Sequence, residues 1–377
     1  MNGGFYNKDM NRERILNEFV TLTGFDSESY NEAEIREYLK EKLNKLGLLV
    51  SEDKAGNIYA ILPGEKERQA ILFSSHMDTV SPGNEKKAII KNIDGQEVIT
   101  SVGTTVLGAD DVSGIVSIIE ALTVIQEKRL SHPDIEVIFS VAEEPYCRGM
   151  SVFDMSKIKA KKGYVLDLTG KIGTAAYEAP TIVEIDIEIT GKSAHAGFAP
   201  EDGINALSIA ANALDKLPTG HIYDDTTLNF GLINGGTGVN VVPEKIKIKG
   251  EIRSLTYERI EETEERILSI FEEAAANSTG AKADIKYTEK IRGYKVDKDS
   301  EVIRDYERAI KSAGIDEATL ISTFGGSDAN PLNQAGIQTI VLSCAMENVH
   351  TTQEYAVVSE LMKSAEVTLR LMTQETI

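Results

Sequence analysis

The chain has 377 residues, of which 41% are hydrophobic and 27% are charged, a composition that is typical of folded globular proteins and excludes a disordered or fibrous chain. Its net charge of −20, from 60 acidic and 40 basic residues, leaves no basic field for binding nucleic acid. The sequence contains no run of about 18 apolar residues and no pattern of a secretory leader, so we expect a cytoplasmic protein that does not span a membrane.

The length favours two domains, and the first part of the chain predicts an α/β core. Short apolar runs alternate there with segments of helical periodicity, which is the pattern of a mostly parallel central sheet flanked by helices. The predicted elements are two helices within 9–47, strands at 57–62, 69–76, 135–140 and 164–168, and a helix at 113–126.

The pattern changes near Ala179 and Pro180. Residues 181–191 and 245–254 alternate apolar and polar side chains strictly, as half-exposed antiparallel strands do. With helices at 204–217 and 257–275 and a last strand at 283–287, they predict an inserted α+β unit of ferredoxin-like β-α-β-β-α-β order. The α/β pattern then resumes, with a helix at 300–312, a strand at 338–343 and a helix at 354–372. We therefore predict a main domain of residues 1–179 and 291–377 and an inserted lid or dimerisation domain of residues 180–290.

Acidic and histidine side chains follow several of the predicted strands. Ligands collect at the carboxyl ends of strands in open α/β sheets, so these side chains are candidates for one site. They are His76 and Asp78 in SSHMD, Asp110 in LGADD, Glu143 and Glu144 in VAEEP, Asp167 in VLDL and His350 in ENVHTT.

Imidazole and carboxylate together favour Zn²⁺, or a similar ion such as Co²⁺ or Mn²⁺, over an ion that binds oxygen alone. The chain has two cysteines, Cys147 and Cys344, too few for a thiolate zinc cluster. A set of five ligands drawn from these candidates would suit two metal ions that share one carboxylate. Asp78 lies on the same side of an extended chain as His76 and would fix the tautomer of that imidazole. Each motif alone has an ordinary explanation, a surface His-Asp pair or a helix cap, and the combination is what favours a metal site.

The segments SSHMDTV, LGADDVSGI, VAEEP, VLDL, GKSAHAG, GGTGVNVVPE and NVHTT together resemble the dinuclear zinc peptidase and deacylase family that includes peptidase T, carboxypeptidase G and aminoacylase. The resemblance runs from about residue 70 to residue 355 and includes the insertion. GTTVLGADD and the length of the chain are most similar to the peptidase T-like members.

The resemblance implies a role for each candidate residue around two Zn²⁺ ions per subunit. Asp110 would bridge the ions, His76 and Asp167 would complete one site, and Glu144 and His350 would complete the other. Asp78 would orient His76. Glu143 would be the general base that takes a proton from a metal-bridging water.

The resemblance also assigns roles to residues in and near the inserted domain. His195 in GKSAHAG would stabilise the oxyanion, from its own subunit or from a partner. Arg253 and Asn240 would grip the substrate, although a surface arginine explains Arg253 equally well. Gly326, in the loop GGSD, would present backbone N–H groups to the substrate, and an ordinary capped turn is the alternative.

These implications lead to one expected function and its alternatives. We expect metal-dependent hydrolysis of a peptide bond in short peptides, by a zinc aminopeptidase of the peptidase T-like kind that acts on tripeptides. An N-acyl-amino-acid deacylase or a carboxypeptidase of the same family would use the same metal chemistry. A non-catalytic protein that binds metal or peptide is the alternative from another class. We also expect a homodimer formed through the lid domain and no nucleic-acid partner.

Overall fold

The computed structural model describes residues 10–93 and 95–374. These residues form two compact units. The main unit comprises residues 10–178, 295–323 and 327–374, and the inserted unit comprises Ala179–Tyr294 together with Phe324–Gly326. The inserted unit thus contains Ala179, 291–294 and 324–326, which the sequence analysis assigned to the main domain. Contacts explain the difference, because Gly293 N donates to Thr181 Oγ1 and Phe324 O accepts from the Arg253 guanidinium.

Helices and strands alternate along most of the chain. Before the insertion they are α1 (Arg12–Thr23), α2 (Ala33–Lys45), β1 (Leu49–Glu52), β2 (Ile58–Leu62), β3 (Ile71–His76), β4 (Ala88–Ile93), β5 (Gln96–Ser101), α3 (Ala109–Lys128), β6 (Ile135–Ser140), β7 (Lys162–Leu168) and β8 (Thr174–Ala179). The insertion contains β9 (Thr181–Thr190), α4 (Ala206–Leu214), β10 (Gly220–Tyr223), β11 (Thr226–Gly235), β12 (Lys245–Ser254), α5 (Tyr257–Ala276) and β13 (Lys282–Ile291). After it come β14 (Tyr294–Lys295), α6 (Glu301–Ser312), β15 (Thr319–Ser322), α7 (Ala329–Gln334), β16 (Gln338–Ser343), β17 (Met346–Glu347), β18 (Tyr355–Val357) and α8 (Val358–Thr373).

The main unit is built on a mixed, mostly parallel sheet, as predicted. Its strand order is β1-β2-β6-β3-β7-β16-β8, with β15 beside β8. The neighbours β6, β3, β7 and β16 are parallel, so their carboxyl ends lie along one edge of the sheet. Every residue of β3 and β6 is buried, which is why both strands are continuous apolar runs in the sequence. The largely buried α3 packs against β3, β7 and α8.

A second, smaller sheet of the main unit was not predicted. It has the order β17-β18-β5-β4. Because Tyr355–Val357 pairs with β5, the last helix begins at Val358, and the predicted start at Glu354 is wrong. Glu354 is instead a buried residue that receives backbone hydrogen bonds.

The inserted unit has the predicted antiparallel α+β architecture. Its sheet has the order β10-β11-β12-β9-β13, and the connection β9-α4-β11-β12-α5-β13 gives the ferredoxin-like arrangement with β10 as an added edge strand. One side of β9 contributes Ile185, Ile187 and Ile189 to a core formed with α4 and α5. The alternate residues of β9 are acidic and pair with lysines of β12, for example Asp186 with Lys249 at 3.0 Å.

None of the helices within residues 10–93 and 95–374 combines the length and the apolar composition that crossing a bilayer requires.

Candidate metal centre

The carboxyl edge of the central sheet brings the first predicted residues together. His76 is the last residue of β3 and lies opposite Ser140, the last residue of β6. Asp167 lies near the end of the neighbouring strand β7. The parallel register therefore places side chains that are far apart in sequence at the same edge, as the strand pattern predicts.

Asp110 and Asp111 stand at the entrance to α3 and have separate contacts. Their backbone is not helical, and the peptide bond between them is cis. Asp111 Oδ1 accepts from Gly114 N at 3.2 Å, which caps the helix, and Asp111 Oδ2 accepts from His76 N at 3.2 Å and from the Ser75 hydroxyl. Asp111 is thus fully engaged with the protein, while Asp110 faces the histidines.

The first candidate cluster consists of His76, Asp110 and Asp167, whose ligand atoms all lie within 4.8 Å of one another. His76 Nε2 is 2.9 Å from Asp110 Oδ1 and 3.8 Å from Asp167 Oδ1. On the other side of the ring, Nδ1 lies 2.9 Å from the backbone oxygen of Asp78 and 3.5 Å from its carboxylate. A proton on Nδ1 is therefore matched by acceptors, which leaves the Nε2 lone pair for a cation.

The second candidate cluster consists of Asp110, Glu144 and His350. His350 Nε2 lies 3.1 Å from Asp110 Oδ2 and 3.1 Å from Glu144 Oε2. Asp110 therefore turns one carboxylate oxygen to each cluster. This is the arrangement required of a carboxylate shared by two ions.

The carboxylates of the two clusters carry negative charge that needs positive charge nearby. Burial raises the pKa of Asp167 well above its ordinary value and raises that of Glu144. Hydrogen bonds to Asp110 and Glu144 raise the pKa of His350 to about 10. Glu144 Oε1 is buried and has no hydrogen-bond partner among the described residues. A set of imidazole and carboxylate donors with an unpaired buried oxygen fits zinc-type divalent ions.

Asp78 does more than the sequence indicated. Its Oδ1 accepts from Glu143 N at 2.9 Å, and its Oδ2 accepts from Glu144 N at 3.3 Å and from Ser29 Oγ at 2.7 Å. Burial raises the pKa of Asp78, but its hydrogen bonds, above all the one with His76, lower the pKa by more. The net result is a pKa below the ordinary value. The Asp78 carboxylate thus joins the end of β3 to the turn that carries both glutamates.

Glu354 was missed by the sequence analysis. Its Oε2 accepts from Leu107 N at 2.7 Å and Gly108 N at 2.8 Å, and its Oε1 accepts from Asp110 N at 2.9 Å. Glu354 therefore holds the backbone of the segment that presents Asp110. Its position four residues after His350 could have indicated a role near the site. The helical periodicity of the following residues led instead to a predicted helix that began at Glu354.

The remaining predicted residues belong to the inserted unit. His195 and Asn240 lie on adjacent segments, because Ala196 N donates to Asn240 O at 2.9 Å. The Arg253 guanidinium is paired with Glu251 at 2.8 Å and donates to Phe324 O at 3.0 Å. Gly326 packs closely, since a Cβ there would lie 2.6 Å from Ile291 Cδ1.

Comparison with known proteins gives matches along most of the chain. Residues 177–279 match the peptidase dimerisation domain, and residues 57–178 match peptidase family M28. The solved structure of aminopeptidase PepT from Bacillus cereus is 40% identical, with a TM-score of 0.88, and the match covers 97% of this chain and 99% of that one. A tripeptidase from Staphylococcus aureus is 33% identical, with a TM-score of 0.92 and coverage of 97% and 98%. The uncharacterized protein YqjE of Bacillus subtilis is 38% identical over 373 residues, 97% of this chain and 99% of that protein.

Identity above 30% over nearly the whole length includes both units, so the likeness is not limited to the metal-binding motifs. It confirms the resemblance that those motifs carry. The chain belongs to the dinuclear metallopeptidase family that includes peptidase T.

Proposed function

We propose that the protein is a metal-dependent aminopeptidase that removes the N-terminal residue of short peptides, in particular tripeptides. The observation that carries the proposal is the position of Asp110 between two clusters of donor atoms, with Glu143 next to the ligand Glu144. The names of two similar structures, an aminopeptidase and a tripeptidase, support the choice of reaction.

Two Zn²⁺ ions per subunit, or Co²⁺ or Mn²⁺, suit the donor set. His76, Asp110 and Asp167 would hold one ion, and Asp110, Glu144 and His350 the other. When bound, the ions supply Lewis-acid chemistry, namely polarisation of the scissile carbonyl and a lowered pKa for the attacking water. Asp78 keeps His76 Nε2 free for this task by accepting a hydrogen bond from Nδ1–H, which fixes the tautomer of the ring.

Glu143 is the group that moves the proton. It belongs to neither candidate ligand set, so its carboxylate is free to accept a proton from the attacking water and to pass it to the leaving amine. Its backbone N–H is held by Asp78 Oδ1, the same carboxylate that binds the N–H of Glu144. The Asp78 carboxylate therefore fixes the backbone of both glutamates, the proposed base and the proposed metal ligand.

The inserted unit contributes substrate contacts in this proposal. His195 Nδ1 accepts from Gly197 N and from Phe198 N, both at 3.1 Å, so Nε2–H would be the group that donates to an oxyanion. The match to the peptidase dimerisation domain supports a homodimer, in which His195 would serve either its own subunit's site or that of the partner. Asn240, Arg253 and the Gly326 backbone would grip the peptide, Arg253 through a terminal carboxylate.

The test is hydrolysis of a panel of dipeptides, tripeptides and N-acetyl amino acids by zinc- or cobalt-loaded protein, with products identified by mass. Release of the N-terminal residue from tripeptides is the expected result. Release from N-acetyl amino acids would indicate a deacylase, and release of the C-terminal residue a carboxypeptidase.

The variant Glu143→Gln separates catalysis from binding. It should retain metal and fold while hydrolysis is lost, because an amide cannot accept the proton. Full turnover by this variant would refute the assignment of the base. Bound metal without hydrolysis of any substrate by the unmodified protein would favour the non-catalytic alternative.

A further inference from the structure

A third buried cluster lies beside the two candidate metal clusters. It consists of Glu143, Cys147 and Asp328, residues that are 8%, 2% and 1% exposed and whose possible ligand atoms lie within 4.8 Å of one another. Cys147 Sγ is 3.3 Å from Glu143 Oε1. Neither Cys147 nor Asp328 has a part in the proposed function, although both adjoin its base.

The thiol of Cys147 is placed to act as a donor. A thiolate would add a third negative charge between two carboxylates, and burial together with Glu143 and Asp328 raises the pKa of Cys147 well above its ordinary value. The sulfur therefore keeps its proton. Asp328 Oδ2 accepts from the Ser140 hydroxyl, while Oδ1 has no hydrogen-bond partner among the described residues. The thiol has two neighbouring acceptors: its hydrogen bond at 3.3 Å goes to Glu143 Oε1, and the Asp328 carboxylate also interacts with it.

The backbone of the turn also brings Cys147 back to Glu143. Cys147 N donates to Glu143 O at 2.6 Å, which closes the turn from 143 to 147. Tyr146 and Cys147 have φ angles of 71° and 52°, in the left-handed region that disfavours residues with a Cβ. Such a conformation costs on the order of 1 kcal/mol or more and persists where the surroundings determine it, often at functional sites.

We propose that Cys147 is a positioning residue for the base: its thiol donates to Glu143 Oε1 and thereby presents Glu143 Oε2 to the water. The inference rests on the proposed role of Glu143. The terminal torsion of a glutamate is broad, so a carboxylate without an anchor samples many orientations. With Oε1 held, Oε2 has a defined direction, and the geometry of proton transfer is set before substrate binds.

The test compares Cys147→Ala, Cys147→Ser and Cys147→Gly in the metal-loaded enzyme, with kcat and KM measured on a tripeptide substrate. We expect Cys147→Ala to lower kcat about tenfold with KM within about twofold, because the change affects orientation of the base and not peptide binding. Cys147→Ser restores a hydroxyl donor and should recover kcat to within about threefold of the unmodified enzyme.

Cys147→Gly distinguishes positioning from packing. Glycine adopts the left-handed backbone without strain but supplies no hydrogen-bond donor. The kcat of Cys147→Gly should therefore be as low as that of Cys147→Ala, even though Cys147→Gly should be thermally more stable than Cys147→Ala. The matched control is Cys344→Ala, which removes another buried thiol next to a carboxylate, Asp111, at 3.6 Å. We expect kcat of Cys344→Ala within about twofold of the unmodified enzyme.

Three results would overturn the inference. The first is an unchanged kcat in Cys147→Ala while Glu143→Gln is inactive. This result would refute the role of Cys147 and leave the proposed function intact. The second is an equal loss in Cys147→Ser and Cys147→Ala, which indicates packing. The third is a further equivalent of Co²⁺ with a thiolate charge-transfer band that Cys147→Ala lacks, which identifies the cluster as a metal site. Activity in Glu143→Gln would instead remove the proposed function itself.

Discussion

Replacing Glu354 with Gln should loosen the segment that presents Asp110. The Glu354 carboxylate receives three backbone N–H groups, those of Leu107, Gly108 and Asp110. A glutamine has one acceptor oxygen, which keeps the two donors on one side if it faces Leu107 and Gly108. Its NH₂ group then faces the N–H of Asp110, so that this buried donor loses its partner.

The expected cost follows from these contacts. Leaving one buried N–H unpaired costs about 1–3 kcal/mol, and weakening two charge-assisted bonds to neutral ones adds on the order of 1 kcal/mol. We expect Glu354→Gln to lower the free energy of unfolding by about 2–4 kcal/mol. Because the loss is concentrated on Asp110, bound metal should also exchange faster with a chelator in this variant.

The assay is urea unfolding at pH 8, followed by far-UV circular dichroism because the chain contains no tryptophan. Metal release to a chromogenic chelator is measured in parallel. Glu360→Gln is the matched control, since Glu360 accepts one backbone N–H, that of Ile172 at 3.0 Å, and is partly exposed. Equal midpoints and equal release rates for the two variants would refute the role of Glu354.

Further predictions concern the metal ions, the inserted unit and a buried lysine. Asp110→Asn should lose both ions by elemental analysis, since Asp110 offers an oxygen to each cluster; retention of one full equivalent would contradict the shared ligand. An equal mixture of reassociated His195→Ala and Glu143→Gln subunits should regain about a quarter of full activity if His195 serves the partner, because about half of the dimers are mixed and each of these has one complete site. No recovery would place His195 in its own subunit's site. Burial lowers the pKa of Lys86 from 10.5 to about 8, so the folded protein binds fewer protons there than the unfolded chain and gains up to about 3 kcal/mol of stability as pH rises from 8 to 10.5. Lys86→Met should lack this gain in urea titrations across that range, and an identical pH dependence in both proteins would refute it.

The sequence predicted the framework well where one physical signal dominates. Strands β3 and β6 are buried on both faces, so they are continuous apolar runs, and the register of parallel strands then places His76 near Asp167. The alternating pattern of β9 likewise predicted a sheet with one buried face.

Contacts made by the backbone were not predictable in the same way. Glu354 binds three N–H groups, and Asp78 binds those of both glutamates, but a backbone donor has no sequence signature. Cys147 was not among the candidate site residues, because the left-handed turn that returns its thiol to Glu143 lacks the usual glycine.

The interrupted connectivity of the main unit has a consequence for biosynthesis. Strand β16 pairs with β7, yet the whole inserted unit is synthesised between them, and His350 emerges later still. On the ribosome, Asp110, Glu144 and Asp167 are therefore exposed for some time as a partial set of donors with an unpaired sheet edge at β7. A nascent chain in that state is open to premature metal capture and to strand pairing with other chains, and both risks end only when the last strands of the main unit have been made.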